Sequence, residues 1–212
     1  MKGRFILDSI LITNEVVDYV KQIKKKCLIF KEDFQKAFDS INWNFLLHVM
    51  NLMGFGEKWI LWIKACLESA SISILVNGSP TSEFTPKRGI RQGDPLSPYL
   101  FIIAVEGLNI FVKRSLETNV FHGIEVGAEK VMVSHLQYAD DIVFFGEWNK
   151  KNANSIFKLL KCFEIFSGLK VNMSKSCIYG MGVQKSNVED IANYIGCWVS
   201  SFPFTYLGPP IG

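Results

Sequence analysis

The sequence predicts an α+β fold. Short apolar runs of strand length lie between amphipathic stretches of helix length, and the strand runs meet in hairpins with few strand–helix–strand units. The composition agrees: 212 residues with 49% hydrophobic and 20% charged residues, including 17 Phe, are enough for a sizeable core and are not a disordered composition. No repeat, low-complexity tract or dividing linker interrupts the chain.

Other classes are excluded by what the chain carries. The five cysteines contain no CxxC pair, which argues against a disulfide framework and a zinc site, and three of them sit in apolar surroundings as core fillers. The three histidines show no metal spacing. Lys2 and Arg4 precede an apolar stretch that Asp8 interrupts, so the N-terminus is not a signal peptide, and no uncharged apolar run reaches membrane-span length. A reduced, intracellular protein, in nucleus or cytoplasm and not secreted, is the expectation. The net charge of +3 does not by itself argue for nucleic acid. The cluster Lys21, Lys24, Lys25 and Lys26 is either a basic patch or a solvated helix end.

Residues 4–26 place Ile6, Ile10, Thr13, Val17 and Val20 at alternating steps of four and three, which predicts an amphipathic helix closed by Lys24 to Lys26. Cys27 to Phe30 reads as a buried strand that delivers Asp33 from a rigid element. Asn42 caps a helix over 43–53 that Gly54 ends. Gly56 opens a second, over 57–69, with Trp59, Ile63, Cys66 and Leu67 on its apolar side. Ser71 to Val76, the turn Asn77-Gly78 and a return strand over 82–85 form a hairpin.

The loop Arg88-Gly89-Ile90-Arg91-Gln92-Gly93-Asp94-Pro95-Leu96-Ser97-Pro98 follows. Its glycines permit close backbone approach to a ligand, and Arg91 and Gln92 are donors for a phosphate or a base edge; a plain connecting loop is the alternative. Ser97-Pro98 starts a helix running to about Lys113, apolar nearly all round at its start and therefore buried there. Gly123 to Gly127 reads as a short strand and turn. Residues 149–166 are amphipathic, with Ile156, Leu159, Leu160, Phe163 and Phe166 inside. Residues 169–172 and 176–179 are short strands around a turn holding Lys175, Val188 to Ile195 is a last helix, and Phe204 to Gly208 is a terminal strand stopped by Pro209-Pro210.

The most unusual stretch is Tyr138-Ala139-Asp140-Asp141. Apolar strand residues flank it, Val131 to Val133 and His135 to Gln137 before, Ile142 to Phe145 after, so the four residues form a tight reversal. Hairpin tips favour Asn-Gly or Asp-Gly, yet here two like charges meet with no glycine. A divalent cation on the carboxylates accounts for them; a solvated acidic turn is the alternative.

In this order the pieces resemble reverse transcriptases, in particular those of plant non-LTR (LINE-type) retrotransposons. The resemblance spans nearly the whole chain. It is carried by Asp33-Phe34-Gln35-Lys36-Ala37-Phe38-Asp39, by the long Arg88–Pro98 loop, by Tyr138-Ala139-Asp140-Asp141, by Gly168-Leu169-Lys170-Val171-Asn172 with Lys175-Ser176, and by Phe204-Thr205-Tyr206-Leu207-Gly208. It implies a polymerase palm: an antiparallel sheet carrying the acids with helices packed behind, partial fingers over about 1–30, palm over about 27–200, a primer-grip strand over about 203–208 and no thumb.

The implied activity is RNA-directed DNA polymerisation, adding deoxynucleotides to a primer 3′-hydroxyl with two Mg²⁺ ions, Mn²⁺ being a possible substitute. Asp33 and Asp140 resemble the metal ligands, Asp141 the third acid, and the Phe34 carbonyl completes a metal shell. Phe38 resembles the steric gate beneath the sugar, Gln92 and Gly93 the pair packing on the incoming nucleotide, Arg91 a phosphate contact, and Lys175 the lysine that protonates pyrophosphate. Tyr138 and Tyr206, with Leu207 and Gly208, resemble the supports of the primer end. RNA template, DNA primer and deoxynucleoside triphosphates are the implied partners, with no membrane.

Two positions depart from the family pattern. Glu32 stands where an apolar strand residue is usual, and by alternation it points away from the acids or else perturbs the strand. Pro209 stands where leucine is usual. The chain also starts shortly before Asp33 and stops at the primer-grip strand, so most of the fingers, the thumb and the endonuclease are expected from a longer polyprotein. Two other readings remain: an inactive remnant that at most binds nucleic acid, and a nucleotidyl cyclase, against which the Arg88–Pro98 loop argues.

Overall fold

The computed structural model describes residues 5–212. Its elements are α1 (Ile6–Gln22), β1 (Cys27–Glu32), β2 (Phe34–Gln35), α2 (Ala37–Ser40), α3 (Trp43–Leu52), α4 (Glu57–Glu68), β3 (Leu75–Val76), β4 (Ser79–Pro80) and α5 (Ser97–Glu117). They continue with β5 (Ile124–Val126), β6 (Val131–Val133), β7 (His135–Tyr138), β8 (Asp141–Glu147), α6 (Lys150–Ser167), β9 (Lys170–Val171), β10 (Cys177–Met181), α7 (Lys185–Ile195), β11 (Trp198–Val199), β12 (Phe204–Thr205) and β13 (Pro210–Ile211). The chain divides into two compact units: residues 1–35, 110–162 and 171–212 form the first, residues 36–109 and 163–170 the second.

The first unit is built on a five-stranded sheet in the order β11-β10-β1-β8-β7. Its pairings are antiparallel, as expected of the strands that carry the acids, with one parallel edge between β10 and β11. β1 is central, pairing Ile29 with Phe145 on one side and with Tyr179 on the other. Strand alternation sorts its side chains. Cys27 and Ile29 join Val143, Phe145, Tyr179 and Met181 in a core closed by Val16, Val17 and Val20 of α1 and by Phe204, Tyr206 and Ile211. Leu28, Phe30 and Ile178 face the opposite way, around an apolar void shared with Ala153, Ile156 and Leu160 of α6 and Ile195 of α7. α6 and α7 thus pack behind the sheet as expected, and α1 packs on its other face.

In the second unit, Asn42 caps α3 through its side-chain oxygen, which accepts from Phe45 N at 3.2 Å. The Asn77-Gly78 turn is present with both φ angles positive, 50° and 83°, as a tight hairpin requires. Its ladder is only β3 with β4, followed by a bridge between Ile72 and Phe84; between them Thr81 N donates to Ile74 O at 2.9 Å, and Ile74 N donates to the Thr81 hydroxyl oxygen at 3.0 Å.

Several expectations shift. Arg4 lies outside the described residues, and α1 ends at Gln22 before the lysines. Lys24, at φ 55°, turns the chain toward β1, and Lys25 pairs with Glu147 at 2.9 Å. α5 continues to Glu117, and Tyr99 in its first turn is exposed, so that turn is not buried all round. Trp59 and Cys66 are exposed because only Ile63 and Leu67, four residues apart, face inward from α4. Phe166 is 58% exposed. Of the five cysteines only Cys27 is buried. Val131 to Val133 pairs with β5 in a separate hairpin and does not continue β7.

The terminal strand is shorter than expected. Leu207 (φ 53°) and Gly208 (φ 110°) reverse the chain, Tyr206 N donates to Pro209 O at 3.1 Å, and Pro210 pairs with Thr205 in the return strand. Pro209 therefore closes the turn and Pro210 begins the return strand, and the pair does not stop a long one.

Candidate active site

The acidic reversal joins β7 to β8, with Tyr138 opposite Asp141 and only Ala139 and Asp140 between them. Ala139 takes the left-handed conformation, φ 53°, where glycine would be the unstrained choice. For an alanine this costs roughly 1 kcal/mol, and it places an exposed Asp140 beside a half-buried Asp141. Strain of this kind is kept where surrounding structure enforces it, and such places cluster at functional sites.

Alternation puts Lys31, Asp33 and Asp141 on the same face of the sheet, since Lys31 pairs with Val143 and Asp141 is two residues before it. Burial pushes the Asp141 carboxyl up; the Lys31 ammonium opposes this, and the charges of Asp140 and Asp33 add to it. The charges of Asp140 and Asp33 therefore both bear on Asp141 where β1 ends and β8 begins. Lys31 Nζ donates to Thr205 O at 2.8 Å, which holds β12 beside the acids.

Tyr206 is fully buried in the core of the first unit, and its buried hydroxyl has no hydrogen-bond partner among the described residues. Burial pushes that phenol up, and the charge of Asp141 pushes it further. Its ring is a wall of the core, so the expected support of a primer by this side chain is corrected. The half-exposed Tyr138 and the turn residues Leu207 and Gly208 stay accessible.

Asp33 lies just beyond the end of β1. Asn172 N donates to Asp33 O at 2.6 Å, and Asp33 N donates to Ser176 Oγ at 3.3 Å. Lys175 is exposed on the same turn, and the Phe34 side chain is buried. Glu32 points to the face opposite the acids, as alternation predicts, and is 2% exposed, with neither carboxylate oxygen partnered among the described residues. Burial drives its carboxyl well above the ordinary range, and Asp33 adds to the shift.

The remaining predicted residues belong to the second unit. Phe38 stacks on Phe101 with ring centroids 4.9 Å apart, and its carbonyl accepts from Ile90 N at 2.7 Å. Gly89, at φ 82°, passes so close to α2 that an added Cβ would lie 2.7 Å from Asp39 O. Trp43 Nε1 donates to Gly89 O at 2.6 Å. Beyond this anchor, Arg91, Gln92 and Gly93 are exposed, and the loop is braced by Leu96 N donating to Asp94 Oδ1 at 2.8 Å. A cavity of about 450 Å³ opens here, lined among others by Trp43, Arg88, Arg91, Gln92 and Leu100.

Sequence reasoning assigned no role to Lys31 or Ser176. The period-two pattern that places Asp33 also places Lys31 on its face; nothing local signals Ser176.

Among the described residues, no group of three or more His, Cys, Asp and Glu side chains is close enough to enclose a metal ion by itself. The aspartates nonetheless fit such an ion chemically: they are hard oxygen donors, and the charges of Asp140 and Asp33 push the Asp141 carboxyl up, a repulsion that a divalent cation relieves.

The fold and this acid hairpin define a polymerase palm. A family model described as reverse transcriptase (RNA-dependent DNA polymerase) matches residues 1–211, and the chain belongs to that family, which uses divalent metal ions. It is 29% identical over 193 residues to the Pol polyprotein of the type-2 retrotransposable element R2DM of Drosophila melanogaster, covering 89% of this chain and 17% of that protein. An uncharacterised mitochondrial protein of Arabidopsis thaliana is 37% identical over 108 residues, covering 51% of this chain and 88% of that one. Apo telomerase from Candida tropicalis superposes with a TM-score of 0.62 at 17% identity, over 97% of this chain and 34% of that one. The chain thus spans about a sixth of the Drosophila polyprotein it matches. Among the described residues no helix is long and apolar enough to cross a membrane.

Proposed function

We propose that this chain is the RNA-directed DNA polymerase palm of a retrotransposable element. It extends a DNA primer on an RNA template by one deoxynucleotide at a time. The observation that carries the reading is the strained acid hairpin, which sets Asp140 beside Asp141 and Asp141 within electrostatic range of Asp33.

Asp33, Asp140, Asp141 and the Phe34 carbonyl would hold two Mg²⁺ ions, or Mn²⁺ in their place. Such ions, when bound, lower the pKa of the primer 3′-hydroxyl and neutralise the triphosphate. The chain's own residues orient and select. Phe38, fixed by its stack on Phe101, excludes a 2′-hydroxyl. Gln92 and Gly93 pack on the incoming nucleotide, and Arg91 meets phosphate. Lys175 hands a proton to the departing pyrophosphate. Tyr138, Leu207 and Gly208 support the primer end, with the turn held to β1 by Lys31.

Primer extension on an RNA template with Mg²⁺ or Mn²⁺ tests this, with Asp140→Asn in parallel. Extension by the wild type that disappears in the variant is expected. Extension that survives Asp140→Asn contradicts the assignment.

A further inference from the structure

The strand ladder stops just before Asp33, which sits between β1 and β2. Both of its main-chain hydrogen bonds go to a single turn, Asn172 to Ser176. Asn172 N donates to Asp33 O at 2.6 Å, and Asp33 N donates to the Ser176 hydroxyl at 3.3 Å. The same hydroxyl donates to Asn172 O at 2.9 Å, so it uses its acceptor and its donor at once. Ser176 is fully buried.

The turn is itself fixed. Asn172 O also accepts from Lys175 N at 3.0 Å and Ser176 N at 2.9 Å. On the other side, Trp198 N donates to Ser176 O at 3.1 Å and Trp198 Nε1 to Ser174 O at 2.7 Å. Lys175 lies within this clamped turn with its side chain exposed. An aspartate side chain is short, so its carboxylate goes where its backbone is put.

We propose that Ser176 is a positioning residue of the acid site: its hydroxyl locks the backbone of Asp33 to the Lys175 turn and so sets the carboxylate for a divalent cation. The inference rests on the reading of Asp33 as a metal ligand. A hydrogen bond made directly to a metal-ligating group typically carries about 10–100-fold in metal affinity; this one acts through the ligand's backbone, so a loss at the lower end of that range is expected.

The test is a Mn²⁺ titration of the full chain, followed by paramagnetic resonance, on wild type, Ser176→Ala, Asp33→Asn and the double variant. Ser176→Ala is expected to weaken Mn²⁺ binding about tenfold, and to add nothing in the Asp33→Asn background. Wild-type affinity in Ser176→Ala overturns the proposal, and so does an equal further loss in the double variant, which marks a general structural effect. Amide exchange at Asp33 in the wild type is a readout that does not depend on the variant folding. Slow exchange is expected, and exchange as fast as in exposed loops overturns the proposal. If Asp33→Asn leaves Mn²⁺ binding unchanged, the metal-ligand reading itself fails, an outcome distinct from a failure of Ser176.

Discussion

Lys31 donates its ammonium to the main-chain carbonyl of Thr205 at 2.8 Å, joining the central strand of the sheet to the terminal hairpin beside Asp141. The bond is charge-assisted, and the Lys31 charge opposes the rise of the Asp141 carboxyl. Lys31→Met is expected to lower stability by about 1–2 kcal/mol, read as a fall in denaturation midpoint. It is also expected to move the Asp141 carboxyl further up, read by NMR titration. An unchanged Asp141 titration would show that the lysine acts only as a tether.

Glu32 is a buried carboxyl with no hydrogen-bond partner among the described residues. Its folded-state pKa lies above the ordinary 4.5, so the folded chain holds this proton more tightly than the unfolded one. The sign follows: no penalty exists below the unfolded pKa, and stability falls as pH rises from there through the folded pKa. Glu32→Leu is expected to stabilise the chain at neutral pH by about 1–3 kcal/mol and to flatten that pH dependence. Denaturant melts at several pH values compare the two chains. A variant less stable than the wild type at neutral pH would mean that Glu32 has a partner in solution.

Ala139 occupies a left-handed position at the tip of the acid hairpin. Glycine there relieves strain of about 1 kcal/mol but loses backbone entropy of similar size. Ala139→Gly is therefore expected to leave stability level or slightly higher. A loss above about 1 kcal/mol in calorimetry would contradict the strained turn.

Phe38 is held by Phe101 at 4.9 Å. Phe38→Ala is expected to raise incorporation of ribonucleotides relative to deoxynucleotides, and to cost about 1 kcal/mol from the lost ring pair. The ratio of the two incorporation rates on one preparation does not depend on the folded fraction. An unchanged ratio would remove Phe38 from the sugar pocket.

Much of this was legible where the signal is local. Asn42 caps α3, Asn77-Gly78 turns a hairpin, and the acid tip falls between two strands, because each is decided by a few neighbouring residues. What sequence did not reveal depends on distant partners. Tyr206 reads as a support of the primer end on a terminal strand, and its burial in the core depends on the Leu207-Gly208 reversal. Alternation puts Glu32 on the far face, but its full burial depends on what covers that face. The hydroxyl of Ser176 meets Asp33 from 143 residues away, a separation no local pattern encodes.

The most direct measurement offers the chain a DNA primer on RNA templates of defined sequence, with one deoxynucleoside triphosphate at a time and Mg²⁺ or Mn²⁺. The predicted result is addition of only the nucleotide complementary to the next template base, for each of the four templates. Addition that ignores the template, or no addition by a folded chain that still binds primer–template, would contradict it.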